Sequence, residues 1–288
     1  MSEIRTLGVL GAGQMGGGIA QIAAVSGIKV IVFDAAPAAA EKCRGVHKKS
    51  LGKFVEKGKI AQADADAALS RVSFVDRLEG LAGCDWIIEA VVENAGVKRE
   101  LFTKLAAMYP GEQVVLATNT SSISITEIAA AAGPTASRVV GMHFFNPVPL
   151  MQLVEVIPAM QTSPVVVERT IALATRLGKT PLKAHDRAGF ISNRVLMPMI
   201  NEAFYAWMEG VAEPDAIDGI MKLGCNFPMG PLRLADFIGL DTCVHIMNVL
   251  AEGLNNDRYR ACPLLKQLVT AGRLGDKTGR GVFEYPAK

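Results

Sequence analysis

The stretch from Leu7 to Asp34 constrains this chain more than any other. An apolar segment, Leu7-Gly8-Val9-Leu10, runs into Gly11-Ala12-Gly13-Gln14-Met15-Gly16. A segment with helical spacing follows (Ile19, Ile22, Ala23, Val25), and a second apolar run, Lys29-Val30-Ile31-Val32-Phe33, ends on Asp34. That succession predicts strand, glycine turn, helix, strand and acid within one βαβ unit. Glycines so spaced permit a tight turn and let backbone N–H groups approach a pyrophosphate, which the following helix N-terminus also favours. Gly11, Ala12, Gly13, Gln14, Met15 and Gly16 are therefore expected to cradle a dinucleotide. Asp34 stands where a carboxylate accepts hydrogen bonds from an adenosine ribose. A glycine turn that merely joined two strands would leave Asp34 unexplained. An acid there repels a 2′-phosphate, and no Arg directly follows it, so NAD is expected rather than NADP.

The 288 residues allow one large domain or two moderate ones, and half of them are hydrophobic, which provides for a sizeable core. The formal net charge of +2 is too small to argue for nucleic acid or an anionic membrane surface as partner. Five scattered cysteines (Cys43, Cys84, Cys225, Cys243, Cys262) contain no C-x-x-C pair, so neither a disulfide framework nor a zinc site is expected, and no metal is. That usage suits a reducing compartment. The first predicted strand begins close to Met1, leaving no room for a signal or transit peptide. No apolar run reaches membrane-spanning length. The expectation is a cytoplasmic protein.

Beyond Asp34, residues 38 to 59 carry helix formers and the cations Lys42, Arg44, Lys48, Lys49, Lys53, Lys57 and Lys59. At 3.6 residues per turn, Lys49, Ser50, Lys53 and Lys57 share one arc of the helix. They form either a solvated lysine face or a docking strip for a polyanionic substrate. A helix and a short strand, Val72-Ser73-Phe74, come next. Cys84 to Glu93 reads as a strand buried on both faces with Glu93 at its C-terminal end, where ligands of open α/β sheets bind. Lys98 then opens a helix reaching Met108. Glu93 is either a ligand group or a helix-entry acid, and Lys98 either a ligand group or a surface charge.

Val114 to Thr118 is a further strand, ending in the polar rim Asn119-Thr120-Ser121-Ser122, and a helix follows from Ile125 to Ala132. Val139 to Phe145 runs as a strand into Asn146-Pro147 and carries His143. Leu153 to Ile157 is another strand and carries Glu155. A histidine with a carboxylate on a neighbouring strand makes a base with an orienting partner. After a helix over 164–178 and a last strand, Thr180 to Lys183, the alternation of strand and helix stops. Helices are predicted over 190–210 (with Pro198 inside), 213–224, 235–253 and 263–272. The expected fold is α/β: an N-terminal Rossmann-type, mostly parallel sheet over 1–185 and an all-helical C-terminal domain over 186–288.

With these residues in hand, the chain resembles the short-chain L-3-hydroxyacyl-CoA dehydrogenases, including bacterial 3-hydroxybutyryl-CoA dehydrogenases. The motifs that carry the resemblance are Gly11 to Gly16, Glu89-Ala90-Val91-Val92-Glu93, Asn119 to Ser122, His143-Phe144-Phe145-Asn146-Pro147 and Leu153-Val154-Glu155-Val156. Further on they are Gly189-Phe190-Ile191-Ser192-Asn193-Arg194, Met221 to Gly224 and Pro228 to Pro231. The resemblance implies His143 as general base, Glu155 as its orienting partner, and Ser121 and Asn193 as substrate contacts. It implies Asp34, Glu93, Lys98, Ser121, Asn146 and the tail residue Lys277 as NAD contacts. It assigns the CoA portion to Ser50 and Lys57, with Lys53 on the same strip. It implies an acyl-CoA substrate and a homodimer through the helical domain. The segment between Asn119 and His143 is one residue longer than usual. Counting back from His143 points to Ser122, whereas the motif, fixed by a strand end, points to Ser121. The tail reads Gly281-Val282-Phe283 where two aromatics are more usual. The rival readings are a 3-hydroxyacid dehydrogenase acting on free acids, which would rely on a lysine in the helical domain, and a non-catalytic NAD-binding protein.

Overall fold

A computed structural model describes residues 4–286. The chain divides into two compact units, Met1–Asp186 and Arg187–Lys288.

The first unit is built on an eight-stranded sheet: β1 (Thr6–Leu10), β2 (Lys29–Phe33), β3 (Val72–Val75), β4 (Trp86–Glu89), β5 (Val115–Thr118), β6 (Val139–Phe144), β7 (Leu153–Pro158) and β8 (Thr180–Lys183). Its order is β3-β2-β1-β4-β5-β6-β7-β8, parallel throughout except where β7 runs antiparallel to β6. Among the described residues, the α-helices of this unit are α1 (Gln14–Val25), α2 (Pro37–Glu56), α3 (Gln62–Ser70), α4 (Ala95–Met108), α5 (Ile125–Ala131) and α6 (Pro164–Arg176). The α/β class and the mostly parallel sheet stand as expected. Trp86 and Ile88 of β4 share a core with Leu7, Val9, Val30 and Val32 and with residues of α1, α2, α3 and α6. Ile87 and Glu89, on the other side of the same strand, are equally buried. A strand covered on both faces reads as continuous apolar sequence, which is why the central strands show no alternation.

Two elements end earlier than the sequence suggests. The strand expected over Cys84 to Glu93 is only Trp86–Glu89, because the chain leaves the ladder when Glu89 turns back to accept the N–H of Val91 at 2.7 Å. Glu93 therefore lies beyond the strand, immediately before Asn94, whose side chain caps α4 by accepting the N–H of Val97. Helix α2 stops at Glu56, so Lys57 closes the helix as its C-cap instead of extending the helical arc.

The second unit comprises α7 (Ser192–Met208), α8 (Pro214–Gly224), α9 (Pro231–Ile238), α10 (Leu240–Gly253) and α11 (Pro263–Thr270). Its core joins Met197, Ile200 and Phe204 of α7 to Leu232, Met247, Leu250 and Leu265. Proline begins three of these helices, at the position where its missing N–H costs no intrahelical bond. The single helix expected over 235–253 is two helices meeting at 96°. Gly239, at φ +103°, makes the break, a conformation that a residue with a side chain rarely adopts. The tail is held by the buried carboxylate of Asp236, which accepts the N–H groups of Val282 and Phe283 and the hydroxyl of Tyr285. Asp186 stays with the first unit for a similar reason. Its carboxylate accepts the Ser124 hydroxyl and the N–H groups of Ile125 and Thr126 at the start of α5.

Candidate active site

The glycine turn is shaped at two positions by what a side chain would hit. Gly11 has φ +99°, and a Cβ there would lie 2.5 Å from the carbonyl oxygen of Ala90. A Cβ on Gly16 would lie 1.9 Å from the carbonyl oxygen of Gly11, so this glycine sets how closely α1 approaches β1. Gly13 differs, since a Cβ there would meet nothing within 4 Å. The space over Gly13, at a helix N-terminus with no side-chain cap, is what a phosphate group needs, and the turn fits a dinucleotide on that ground. Asp34 braces the same turn. Its carboxylate accepts the N–H of Ala12 at 2.7 Å and of Ala36 at 2.9 Å.

From this turn a cavity of about 800 Å³ extends along α2. Gly13, Gln14, Ser50, Lys53, Lys57 and Asn146 all line it, so the glycine turn and the basic strip border one space. Lys59 adds a further cation, and Val46, Phe54 and Leu150 supply apolar wall. Ser50 accepts a hydrogen bond from the buried amide of Gln21 at 3.0 Å, which ties the strip to α1. The opposite wall is held by Lys179. Its ammonium donates to the carbonyls of Val148 and Met151 at 2.6 and 2.7 Å, and burial pulls its pKa below the usual lysine value.

The second cluster sits at the carboxyl ends of β4, β5 and β6. In the antiparallel ladder of β6 and β7, His143 stands directly opposite Glu155. Opposed residues of such a pair project their side chains to one face about 5 Å apart. The imidazole Nδ1 and Glu155 Oε2 are accordingly 2.7 Å apart, with His143 8% and Glu155 3% exposed. Asn119 fixes the strand end by accepting the N–H of Phe144 at 2.8 Å. Ser121 lies in the turn after β5, and that turn is gathered onto Glu93. Glu93 Oε1 accepts the hydroxyls of Thr120 and Ser122 at 2.5 and 2.8 Å and the N–H groups of Ser121 and Ser122 at 2.9 and 3.0 Å. Burial pushes the Glu93 carboxyl up, but Lys98 and these donors outweigh it and hold the group below the ordinary glutamate value.

Lys98 is not a surface charge. It is fully buried, and its ammonium donates to Glu89 at 2.6 Å and lies 3.4 Å from Glu93. Glu89, also fully buried, takes the Thr118 hydroxyl on its other oxygen at 2.6 Å. Sequence reasoning gave Glu89 no role. The available signal was a carboxylate inside the apolar run Trp86-Ile87-Ile88-Glu89 with a lysine nine residues on. In the second unit, Asn193 lies buried in the first turn of α7, its N–H bonded to the Gly189 carbonyl. Lys277 is half-exposed and donates to both oxygens of Asp241 at 2.6 Å.

Two family profiles cover nearly the whole chain. One, described as 3-hydroxyacyl-CoA dehydrogenase, NAD binding domain, matches residues 6–187. The other, 3-hydroxyacyl-CoA dehydrogenase, C-terminal domain, matches residues 189–285. A probable 3-hydroxybutyryl-CoA dehydrogenase of Deinococcus radiodurans is 55% identical over 278 residues, 96% of this chain and 99% of that one. The 3-hydroxybutyryl-CoA dehydrogenase of Bradyrhizobium diazoefficiens is 47% identical, covering 98% of this chain and 96% of its own. The crystal structure of an (S)-3-hydroxybutyryl-CoA dehydrogenase from Ralstonia eutropha superposes with a TM-score of 0.95 at 46% identity, over 99% of this chain and 100% of the other.

Proposed function

Because the chain belongs to the 3-hydroxyacyl-CoA dehydrogenase family, we propose that it interconverts (S)-3-hydroxyacyl-CoA and 3-ketoacyl-CoA esters, 3-hydroxybutyryl-CoA foremost, with NAD as redox partner. The observation that carries the chemistry is the 2.7 Å contact between His143 and Glu155 at the sheet edge. The carboxylate accepts the Nδ1–H, which selects the tautomer whose Nε2 bears the basic lone pair. Nε2 is then the atom that takes the 3-hydroxyl proton, and the imidazolium so formed is stabilised by Glu155. Bound NAD supplies the acceptor for the hydride leaving C3. In the reverse direction protonated His143 donates to the oxygen that develops negative charge as the ketone is reduced. Ser121, in the turn held by Glu93, orients the substrate oxygen. Asp34, Glu93 and Asn146 contact the cofactor together with the glycine turn, and Lys98, being fully buried, acts on it through Glu93.

The basic strip takes the CoA phosphates at Ser50, Lys53 and Lys57, and binding energy gained there positions C3 for reaction. Lys57→Ala is expected to raise KM for acetoacetyl-CoA about three- to tenfold, the worth of ~1 kcal/mol for one exposed charge-assisted contact. KM for NADH should stay unaltered. Steady-state kinetics with each substrate varied in turn checks this, and an effect confined to NADH would place the docking path elsewhere.

The helical unit leaves Val195, Ile220 and Leu223 exposed at 67%, 63% and 89%, which supports a homodimer formed through that unit. All five cysteines are free thiols, which supports a cytoplasmic, reducing location. A rate series over 3-ketoacyl-CoA chain lengths, with NADH and NADPH in parallel, tests the reading. Turnover should be greatest with short chains and with NADH, and preference for NADPH would contradict the role given to Asp34.

A further inference from the structure

One ammonium faces two carboxylates beneath the polar turn. Glu89 and Lys98 are both fully buried and in contact at 2.6 Å, and Glu93 Oε2 lies 3.4 Å from the same ammonium. The three groups carry a net formal charge of −1. Arg99, the next residue, is held by Glu127 at the surface and so does not neutralise the group. A charge in this low-dielectric setting is screened far less than one on the surface.

The topology fixes which half of a dinucleotide feels it. The strand order reverses between β1 and β4, and a dinucleotide crosses an open sheet at that switch point. Asp34, at the end of β2, marks the adenosine side. The nicotinamide half then runs over the carboxyl ends of β4 and β5, which are the strands that end at Glu89 and Thr118. The nicotinamide ring is a cation when oxidised and neutral when reduced. We propose that the Glu89–Lys98–Glu93 triad determines the preference between the two redox forms of the cofactor, its residual negative charge favouring the oxidised form. Glu89 is on this account a specificity-determining residue. The inference rests on the reading of the chain as an NAD-dependent enzyme.

Glu89→Gln removes one negative charge and keeps the shape, and Lys98 retains Glu93 as a partner. Dissociation constants for NADH, from its fluorescence, and for NAD, from its displacement of NADH, are measured on the purified protein without substrate. The ratio Kd(NAD)/Kd(NADH) is expected to rise about three- to tenfold in Glu89→Gln, the scale of one unit charge acting through a partly polarisable interior. Glu93→Gln, at a side chain 29% exposed, should shift the ratio the same way and serves if the first variant does not fold. Thr118→Val removes the hydroxyl on Glu89 without changing charge and should leave the ratio within about twofold. The His143–Glu155 pair is common to all these proteins and cancels in the comparison. A ratio unmoved in the Gln variants, including the case where both constants rise together, overturns the proposal, as does a shift towards NAD. Failure of the unaltered protein to bind either form would instead refute the NAD-dependent reading.

Discussion

His143→Ala is expected to lower kcat for NADH-dependent reduction of acetoacetyl-CoA by about 10²- to 10⁴-fold, the range for loss of a positioned general acid–base group. Hydride transfer to a ketone leaves charge on its oxygen unless a proton arrives, and the alanine variant has no group at that ladder position to supply it. NADH affinity, measured by fluorescence titration, should change little, because the glycine turn and Asp34 lie at other strand ends. The substitution also takes from the buried Glu155 a contact at 2.7 Å, which adds a local structural loss to the chemical one. His143→Gln separates the two effects, since it leaves a side-chain amide able to bond a carboxylate but no group able to relay a proton. Near-normal unfolding behaviour with turnover as low as in His143→Ala is the expected pattern. Unchanged turnover in either variant would end the assignment.

The largest expected effect on stability is at Lys98. Its ammonium and the Glu89 carboxylate are both fully buried, and removing one member of such a pair strands the other charge in the interior. Lys98→Met is therefore expected to cost about 3–5 kcal/mol, read from urea unfolding midpoints with the slope held constant. Glu93 cannot make up the loss, since it brings a second negative charge towards Glu89. Adding Glu89→Gln to Lys98→Met removes the stranded charge and should recover much of the stability, because a pair deleted as a whole costs less than a pair broken. A loss below about 1 kcal/mol in the single variant would mean that water reaches the site.

The cofactor half of the site was legible in the sequence because its chemistry is local. Gly11, Gly13, Gly16 and Asp34 belong to one βαβ unit, and their spacing encodes turn, approach and packing together. His143 and Glu155 were legible as a histidine and a carboxylate on neighbouring strands. The antiparallel register that sets them face to face was not, since strand direction follows from how residues 145–152 connect β6 to β7 and not from either strand's composition. The triad was hidden for a different reason. A buried lysine looks like any other lysine until its partners are known, and Glu89 was read as part of an apolar run. Gly239 was absorbed into a helical pattern because a single glycine is tolerated there, and only its φ of +103° shows that it divides α9 from α10. Asn193 and Lys277 were nameable only through the resemblance, since nothing around them in sequence specifies a ligand.

On the proposed function, the paired His143 and the basic strip make this chain a dehydrogenase of CoA esters. Oxidation of NADH followed at 340 nm with acetoacetyl-CoA and, separately, with free acetoacetate tests it most directly. Rapid turnover of the thioester with at least about a hundredfold lower kcat/KM for the free acid is the predicted result, since the acid forfeits the binding energy of the CoA portion. Equal or greater activity on acetoacetate, or none on either compound, would contradict it.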